Sequence, residues 1–228
     1  MVIYFASALF SAREALFNKL LAEKFEAAGE TILLPQRDGF EFNRLSWALE
    51  EVLSESEKSR AISIIIYLLD IGKFLPACDI VMANLDEPID EGVVVEMVMA
   101  RTLGKYVIGY RTDVRSPYGN IKDDAHGAHF FPILQCDKFL WRPPDENYGI
   151  HSITKLFGHL HTTALETMEI WQQNRGPRRH DPITGIIERA KYLFNGIDDL
   201  HSMTGLRDIA HRYNTKIDWL TGICPIII

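Results

Sequence analysis

The sequence predicts an α/β fold, a doubly wound five-stranded parallel sheet followed by a C-terminal helical extension. Three observations carry that reading. Short, wholly apolar runs alternate with segments of helical spacing as far as Trp141, and strands of that kind suit a parallel sheet covered on both faces. Parallel neighbours need crossovers, which the helical segments between the runs supply. After Arg142-Pro143-Pro144-Asp145 the strand pattern stops and only helical spacing remains. The implied division is an α/β domain over 1–145 and a helical extension over 146–228.

The elements follow in order. Val2 to Phe5 is a strand. Phe10 to Ala28 is a helix, with Phe10, Leu16, Leu20, Leu21 and Phe25 near one face and Gly29 as its stop. Ile32 to Leu34 is the second strand, ended by Pro35, and Gln36 to Gly39 reads as a polar loop. Leu45 to Ala77 is mainly helical, with a charged break at Ser54 to Arg60. Ile80 to Leu85 is the third strand, which Asp86-Glu87-Pro88 prevents from continuing. Gly92 to Leu103 holds three consecutive valines, which favour strands. It is still read as a helix, because Asp90 and Glu91 suit a helix start and Gly104-Lys105 a helix end. Tyr106 to Tyr110 is the fourth strand, Arg111 to Asp124 a polar loop, and Lys138 to Trp141 the last strand. Ile153 to Gln173, Ile183 to Phe194 and Leu206 to Tyr213 read as helices, with a basic linker from Asn174 to His180.

Composition narrows the function. The chain has 228 residues with 24 Lys and Arg against 31 Asp and Glu, a net charge of −7. That balance argues against a general affinity for nucleic acid polymers or anionic membranes. Three widely spaced cysteines, Cys78, Cys136 and Cys224, form no zinc or disulfide pattern and suit a reducing cytoplasm. No apolar run reaches transmembrane length. The apolar start through Ala8 is too short for a signal peptide and lacks a preceding basic residue. The loop after the first strand is not glycine-rich, and neither GxSxG nor HExxH occurs. No cofactor or metal is therefore expected.

Ligands of open parallel sheets bind outside the carboxyl ends of the strands. Three polar clusters fall there, at Ala6 to Ser11, Gln36 to Asn43 and Asp86 to Glu96. The last is the most acidic, and an acidic run is ordinarily a solvated loop. Glu96 differs, because it sits among Val93, Val94, Val95, Met97, Val98 and Met99. A carboxylate in that setting is either structurally paired or reactive, and spacing leaves both open. His126 and His129 near Asp123 and Asp124 suit a solvated loop better than a metal site. The basic run Arg175 to His180 suits a linker better than an anion site, and the apolar tail Cys224 to Ile228 suits a core better than an interface.

Four blocks then occur in one order: Ile3-Tyr4-Phe5-Ala6-Ser7-Ala8-Leu9-Phe10, Leu34-Pro35-Gln36-Arg37-Asp38-Gly39, Asp79-Ile80-Val81-Met82-Ala83-Asn84-Leu85-Asp86, and Asp90-Glu91-Gly92-Val93-Val94-Val95-Glu96 before Gly104-Lys105-Tyr106. Over roughly residues 1–141 the chain resembles the nucleoside 2-deoxyribosyltransferase family, whose Asp-x-Gly-x-x-x-Glu pattern the fourth block matches. The resemblance implies that Glu96 is the nucleophile, Tyr4 orients it, Asp70 is the acid that contacts the base and Asp90 binds a sugar hydroxyl. Gln36 falls near the base, and Phe10, closing the first block, belongs with the substrate contacts. The family often completes its pocket with an asparagine from a neighbouring subunit, a role that falls here to His129 or Asn120. It further implies nucleosides and free nucleobases as partners and a homo-oligomer, a dimer or larger. Two departures stand out: Ala6 and Ala8 replace the usual glycine, and the helices after Trp141 lie outside the compact family domain. The expected sheet order is flavodoxin-like, with Tyr4, Asp70, Asp90 and Glu96 at one cleft.

The residue types suit the implied chemistry. Breaking the bond between deoxyribose C1′ and a base nitrogen builds positive charge on the sugar, and a carboxylate can capture that carbon. Attack by a second base then gives transfer. Attack by water gives an N-glycoside hydrolase of nucleosides or nucleoside 5′-monophosphates, for which Ser7, Ser11 and Arg13 near a helix start are the phosphate donors. A nucleotide-sensing or oligomeric interaction module without catalysis is the third reading, and the discriminator is whether Glu96 faces an open pocket with Tyr4 or lies sealed against an apolar wall.

Overall fold

The computed structural model describes residues 1–40, 42–122, 125–144, 149–174 and 184–221. Its strands are β1 (Val2–Ala6), β2 (Thr31–Leu33), β3 (Ile80–Asn84), β4 (Tyr106–Arg111) and β5 (Lys138–Trp141). They form one all-parallel sheet in the order β2-β1-β3-β4-β5, the flavodoxin-like arrangement expected. That order reverses between β1 and β3, and such a switch point opens a crevice at the carboxyl ends of the two strands. The helices are α1 (Ala12–Ala27), α2 (Pro35–Asp38), α3 (Phe42–Glu50), α4 (Glu55–Leu69), α5 (Leu75–Ala77), α6 (Glu91–Thr102), α7 (Phe130–Ile133), α8 (Ile150–Asn174), α9 (Thr184–Phe194), α10 (Met203–Thr215) and α11 (Ile217–Thr221). Between α4 and α5 runs one π-helical turn, Asp70–Phe74. Among the described residues no helix is long and apolar enough to cross a membrane.

Strand side chains alternate between faces, and the two faces have different covers. Ile3, Phe5, Ile80, Met82, Ile108 and Tyr110 share a core with Leu21, Ala22 and Phe25 of α1 and Leu156, Leu160 and Ala164 of α8. Helix α8 is therefore half of a sheet cover, although it lies beyond the last strand. Phe25 joins the two helices, meeting Phe5 edge-on at 5.7 Å between ring centroids and Phe157 at 4.9 Å. Phe25→Ala is expected to lower the unfolding free energy by about 3–5 kcal/mol in denaturant titration. A loss under about 1 kcal/mol would mean that α8 does not depend on this contact. The opposite face is covered by α6, which packs on β1, β3 and β4 and buries Val93, Met97 and Ala100.

Several local expectations change. The first helix starts only at Ala12, where Ser11 caps it: its hydroxyl accepts from the Glu14 N–H, and the Glu14 carboxylate accepts from the Ser11 N–H. Phe10 thus lies outside the helix and is 81% exposed, and Leu16 is 57% exposed. The buried stripe narrows to Leu21, Ala22 and Phe25. Gln36 to Gly39 is not a plain loop, because Pro35 starts the short helix α2. The charged stretch from Ser54 is not a break but the start of α4, since Ser54 and Glu57 form a capping box. The valines of α6 stay helical because the Asp90 carboxylate accepts from the Val93 N–H and fixes the first turn.

By packing, the chain divides into two compact units, Met1–Leu34 with Ala77–His180, and Pro35–Pro76 with Asp181–Ile228. A division near residue 145 follows chain order; the units follow contacts. In the second unit α3 packs on α10 and α4, and the π turn packs on α4 and α9. Arg44 donates to the His201 carbonyl at 2.6 Å, and Arg207 pairs with Glu51. The late helices thus complete a helical body begun by residues 35–76. The linker Arg175 to His180, the tail Cys224 to Ile228 and the Asp123-Asp124 pair lie outside the described residues.

Candidate active site

Tyr4 lies in β1 between Ile3 and Phe5, which face the α1–α8 core. Alternation turns Tyr4 to the other face, toward α6. There its hydroxyl donates to Glu96 Oε1 at 2.7 Å. The ring is fully buried, whereas Glu96 is only half-buried. A rigid strand thus holds one carboxylate oxygen, and the carboxylate is not sealed off. Glu96 falls on the same helix as Asp90, whose carboxylate caps the first turn.

Gly92 belongs to this geometry. A Cβ built there would come within 2.9 Å of Asp90 Oδ1, so a side chain at 92 would push the capping carboxylate aside. The Asp-x-Gly spacing therefore has a local steric cause. Asp90 also lines a cavity of about 240 Å³ with Arg13, Asn84, Glu87 and Arg115 among its walls. The cavity opens at the ends of β1 and β3, the switch point of the sheet.

The acidic run is not a solvated loop throughout. Asp86 accepts from the Thr112 and Asp113 N–H groups and from the Thr112 hydroxyl at 2.7 Å. Glu87 is buried, its N–H donating to Asp113 Oδ2 at 2.7 Å and its carbonyl accepting from Arg115. Arg111 is fully buried and ties the following loop together through Asp113 and the His126 and Arg115 carbonyls. Sequence reading missed Arg111, Asp113 and Arg115, because a polar loop after a strand gives no sign that its first arginine is buried. The one available signal was that the arginine directly follows the apolar strand residues.

The other expected site residues are placed as follows. Phe10 is in the exposed loop before α1. Asn120 is in an exposed turn, its side chain accepting from the Lys122 N–H at 3.0 Å. His129 caps α7 and packs edge-on against Tyr118 at 4.9 Å. Ser7 donates to Asn18 at 2.7 Å and Ser11 is used as a cap, so of the suggested phosphate donors Arg13 alone lines the cavity. Gln36 and Asp70 belong to the second unit, Gln36 in α2 and Asp70 at the start of the π turn. Burial pushes the Asp70 carboxyl up to about 7, so a large share of it is protonated at neutral pH.

Other nucleophiles are poorly set. Burial pushes the Cys78 and Cys136 thiols up to about 12, which leaves little thiolate at neutral pH. Among the described residues no group of three or more His, Cys, Asp or Glu side chains is placed to hold a metal ion. His126 instead stacks on Trp141 at 4.3 Å.

No curated protein matches the chain significantly. A family model described as Nucleoside 2-deoxyribosyltransferase does match, over residues 3–154, a span that takes in all of the sheet but Val2, together with Tyr4, Asp90, Glu96 and the start of α8. With a matching sequence over most of its length and the sheet to carry it, the chain belongs to the nucleoside 2-deoxyribosyltransferase family.

Proposed function

We propose that the protein moves 2-deoxyribose between nucleobases through a covalent glycosyl-enzyme on Glu96. The supporting observation is the 2.7 Å hydrogen bond from the buried Tyr4 hydroxyl to the half-buried Glu96 carboxylate. One oxygen is held by the sheet, which aims the other. A Glu96 oxygen attacks C1′ as the C1′–N bond breaks. The bonding pair leaves with the base, whose nitrogen takes a proton from Asp70. A second base then attacks C1′ and releases the Glu96 carboxylate. Asp90 binds a sugar hydroxyl in this scheme, Gln36 and Phe10 contact the base side, and the reaction takes place in the cytoplasm.

Hydrolysis of N-glycosides, including nucleoside 5′-monophosphates, is the second reading. Arg13 and Arg115 in the cavity wall favour it, since guanidinium groups suit a phosphate. Incubating a 2′-deoxynucleoside with and without a second free base separates the two. Exchange of bases supports transfer, release of free deoxyribose without acceptor supports hydrolysis, and silence in both overturns the catalytic reading.

The protein is further proposed to act as a homo-oligomer. Phe130, Phe131, Leu134 and Tyr118 are each more than half exposed, beside His129, which stacks on Phe130. Exposed apolar clusters of this kind mark association surfaces. Sedimentation equilibrium is expected to give at least a dimer, and a monomer at micromolar concentration removes the proposal.

A further inference from the structure

We propose that Glu87 is a specificity-determining residue of the Asp90 cavity, accepting a hydrogen bond from a sugar hydroxyl and excluding a phosphate from the same place. This rests on the nucleoside reading above and names the residue that would separate a nucleoside from its monophosphate.

Most of the other polar wall groups have a partner within the protein, Asp90 keeping acceptor capacity for the sugar hydroxyl assigned to it above. Asp86 accepts from Thr112 and Asp113, Asn84 accepts from the Asp86 N–H at 2.8 Å, and Asp90 accepts from the Val93 N–H at 3.1 Å. Arg115 pairs with Asp113 at 3.1 Å. Glu87 is different. It is 8% exposed, and its buried Oε1 has no hydrogen-bond partner. A buried carboxylate oxygen without a donor is costly and calls for an explanation. The Glu87 backbone is held at both its N–H and its carbonyl, so the chain cannot move the residue away. Its first two side-chain torsions have alternative staggered wells, and a change of well turns the carboxylate toward the cavity that the residue lines. What fills the cavity then supplies the missing donor.

The chemistry of the donor follows. An ionised carboxylate only accepts hydrogen bonds. A sugar hydroxyl has a proton to give, whereas a phosphate monoester brings negative charge and acceptor oxygens. The cavity is also acidic on balance: Glu14, Asp86, Glu87 and Asp90 line it against Arg13 and Arg115. Arg115 shares its charge with Asp113, so the carboxylates of the wall outweigh the pull of the two arginines on a phosphate.

The test uses the full chain and calorimetric affinities for a 2′-deoxynucleoside and for its 3′- and 5′-monophosphates. The wild-type protein is expected to prefer the nucleoside, and Glu87→Gln to cut its preference over at least one monophosphate by about tenfold, because the amide keeps the shape and adds a donor. Circular dichroism checks that the variant is folded. A preference unchanged within about twofold overturns the role of Glu87 while leaving the nucleoside reading standing. Absence of nucleoside binding to the wild-type chain overturns both. If Glu87→Gln does not fold, Glu87→Asp takes its place: withdrawing the carboxylate by one methylene is expected to weaken nucleoside binding about tenfold, and binding unchanged within about twofold overturns the proposal.

Discussion

Glu96→Ala is expected to abolish base exchange, with kcat/KM falling by at least about a thousandfold, or about 4 kcal/mol of barrier. Alanine suits a helix interior, so α6 should persist. The change does remove the carboxylate that accepts from the Tyr4 hydroxyl, and a stability loss of about 1–3 kcal/mol should accompany it. Glu96→Gln separates the two effects, because an amide oxygen still accepts from Tyr4 yet cannot form a stable glycosyl ester. Tyr4→Phe should cost less than either, about tenfold, since it frees the carboxylate without removing it. Mass spectrometry of enzyme quenched with a deoxynucleoside and no acceptor should find one deoxyribosyl unit on the peptide that carries Glu96. Two displacements at C1′ should retain configuration and give ping-pong kinetics. Sequential kinetics with an inverted product would leave Glu96 a structural carboxylate.

The pairing of Tyr4 with Glu96 was legible because two periods meet there. Alternation along Ile3-Tyr4-Phe5 fixes which face Tyr4 takes, and the apolar residues around Glu96 fix the helix that covers that face. The five strands were legible for a related reason: each is a short apolar run bounded by a turn or a charged segment. The acidic stretch after β3 was misread in part. Composition suggests solvation, but Asp86 and Glu87 are drawn inward by donors on the loop that begins at Arg111, and partners so far along the chain leave no local mark. The spacing of Phe10 and Leu16 fits a buried face. The Ser11 cap starts the helix after Phe10, and a stripe is buried only as far as its neighbours reach. The π turn at Asp70 was invisible for a different reason. One inserted residue leaves propensity unchanged and shifts the apolar phase by a single position, and only Leu75–Ala77 follow it, too few residues to reveal the shift.

Asp70→Asn is expected to slow exchange by about a hundredfold or more, with the largest loss for bases that leave poorly. An asparagine keeps the size and the hydrogen-bonding capacity of the side chain, but it has no acidic proton to give to the departing nitrogen. Burial holds the carboxyl at about 7. The wild-type rate should therefore fall as pH rises through about 7, where the acid form is lost, and the Asp70→Asn variant should lack that limb. Stability should move with the same group. An unfolded Asp70 loses its proton near the ordinary carboxyl value of 3.8, while the folded one keeps it to about 7. Folding therefore binds the extra proton between these values, and each rise in pH across that window favours unfolding. The contribution is complete at low pH and is lost as pH passes the folded value. Asp70→Asn should flatten this slope and leave the variant more stable than wild type at pH 8, by on the order of 1–2 kcal/mol after allowance for partial exposure. Equal slowing of good and poor leaving bases, with the upper pH limb intact, would remove the acid role and leave Asp70 as a residue that positions the base. A flat wild-type stability between pH 4 and 7 would show that the carboxyl is already ionised in the folded protein, and the same conclusion would follow for the reaction.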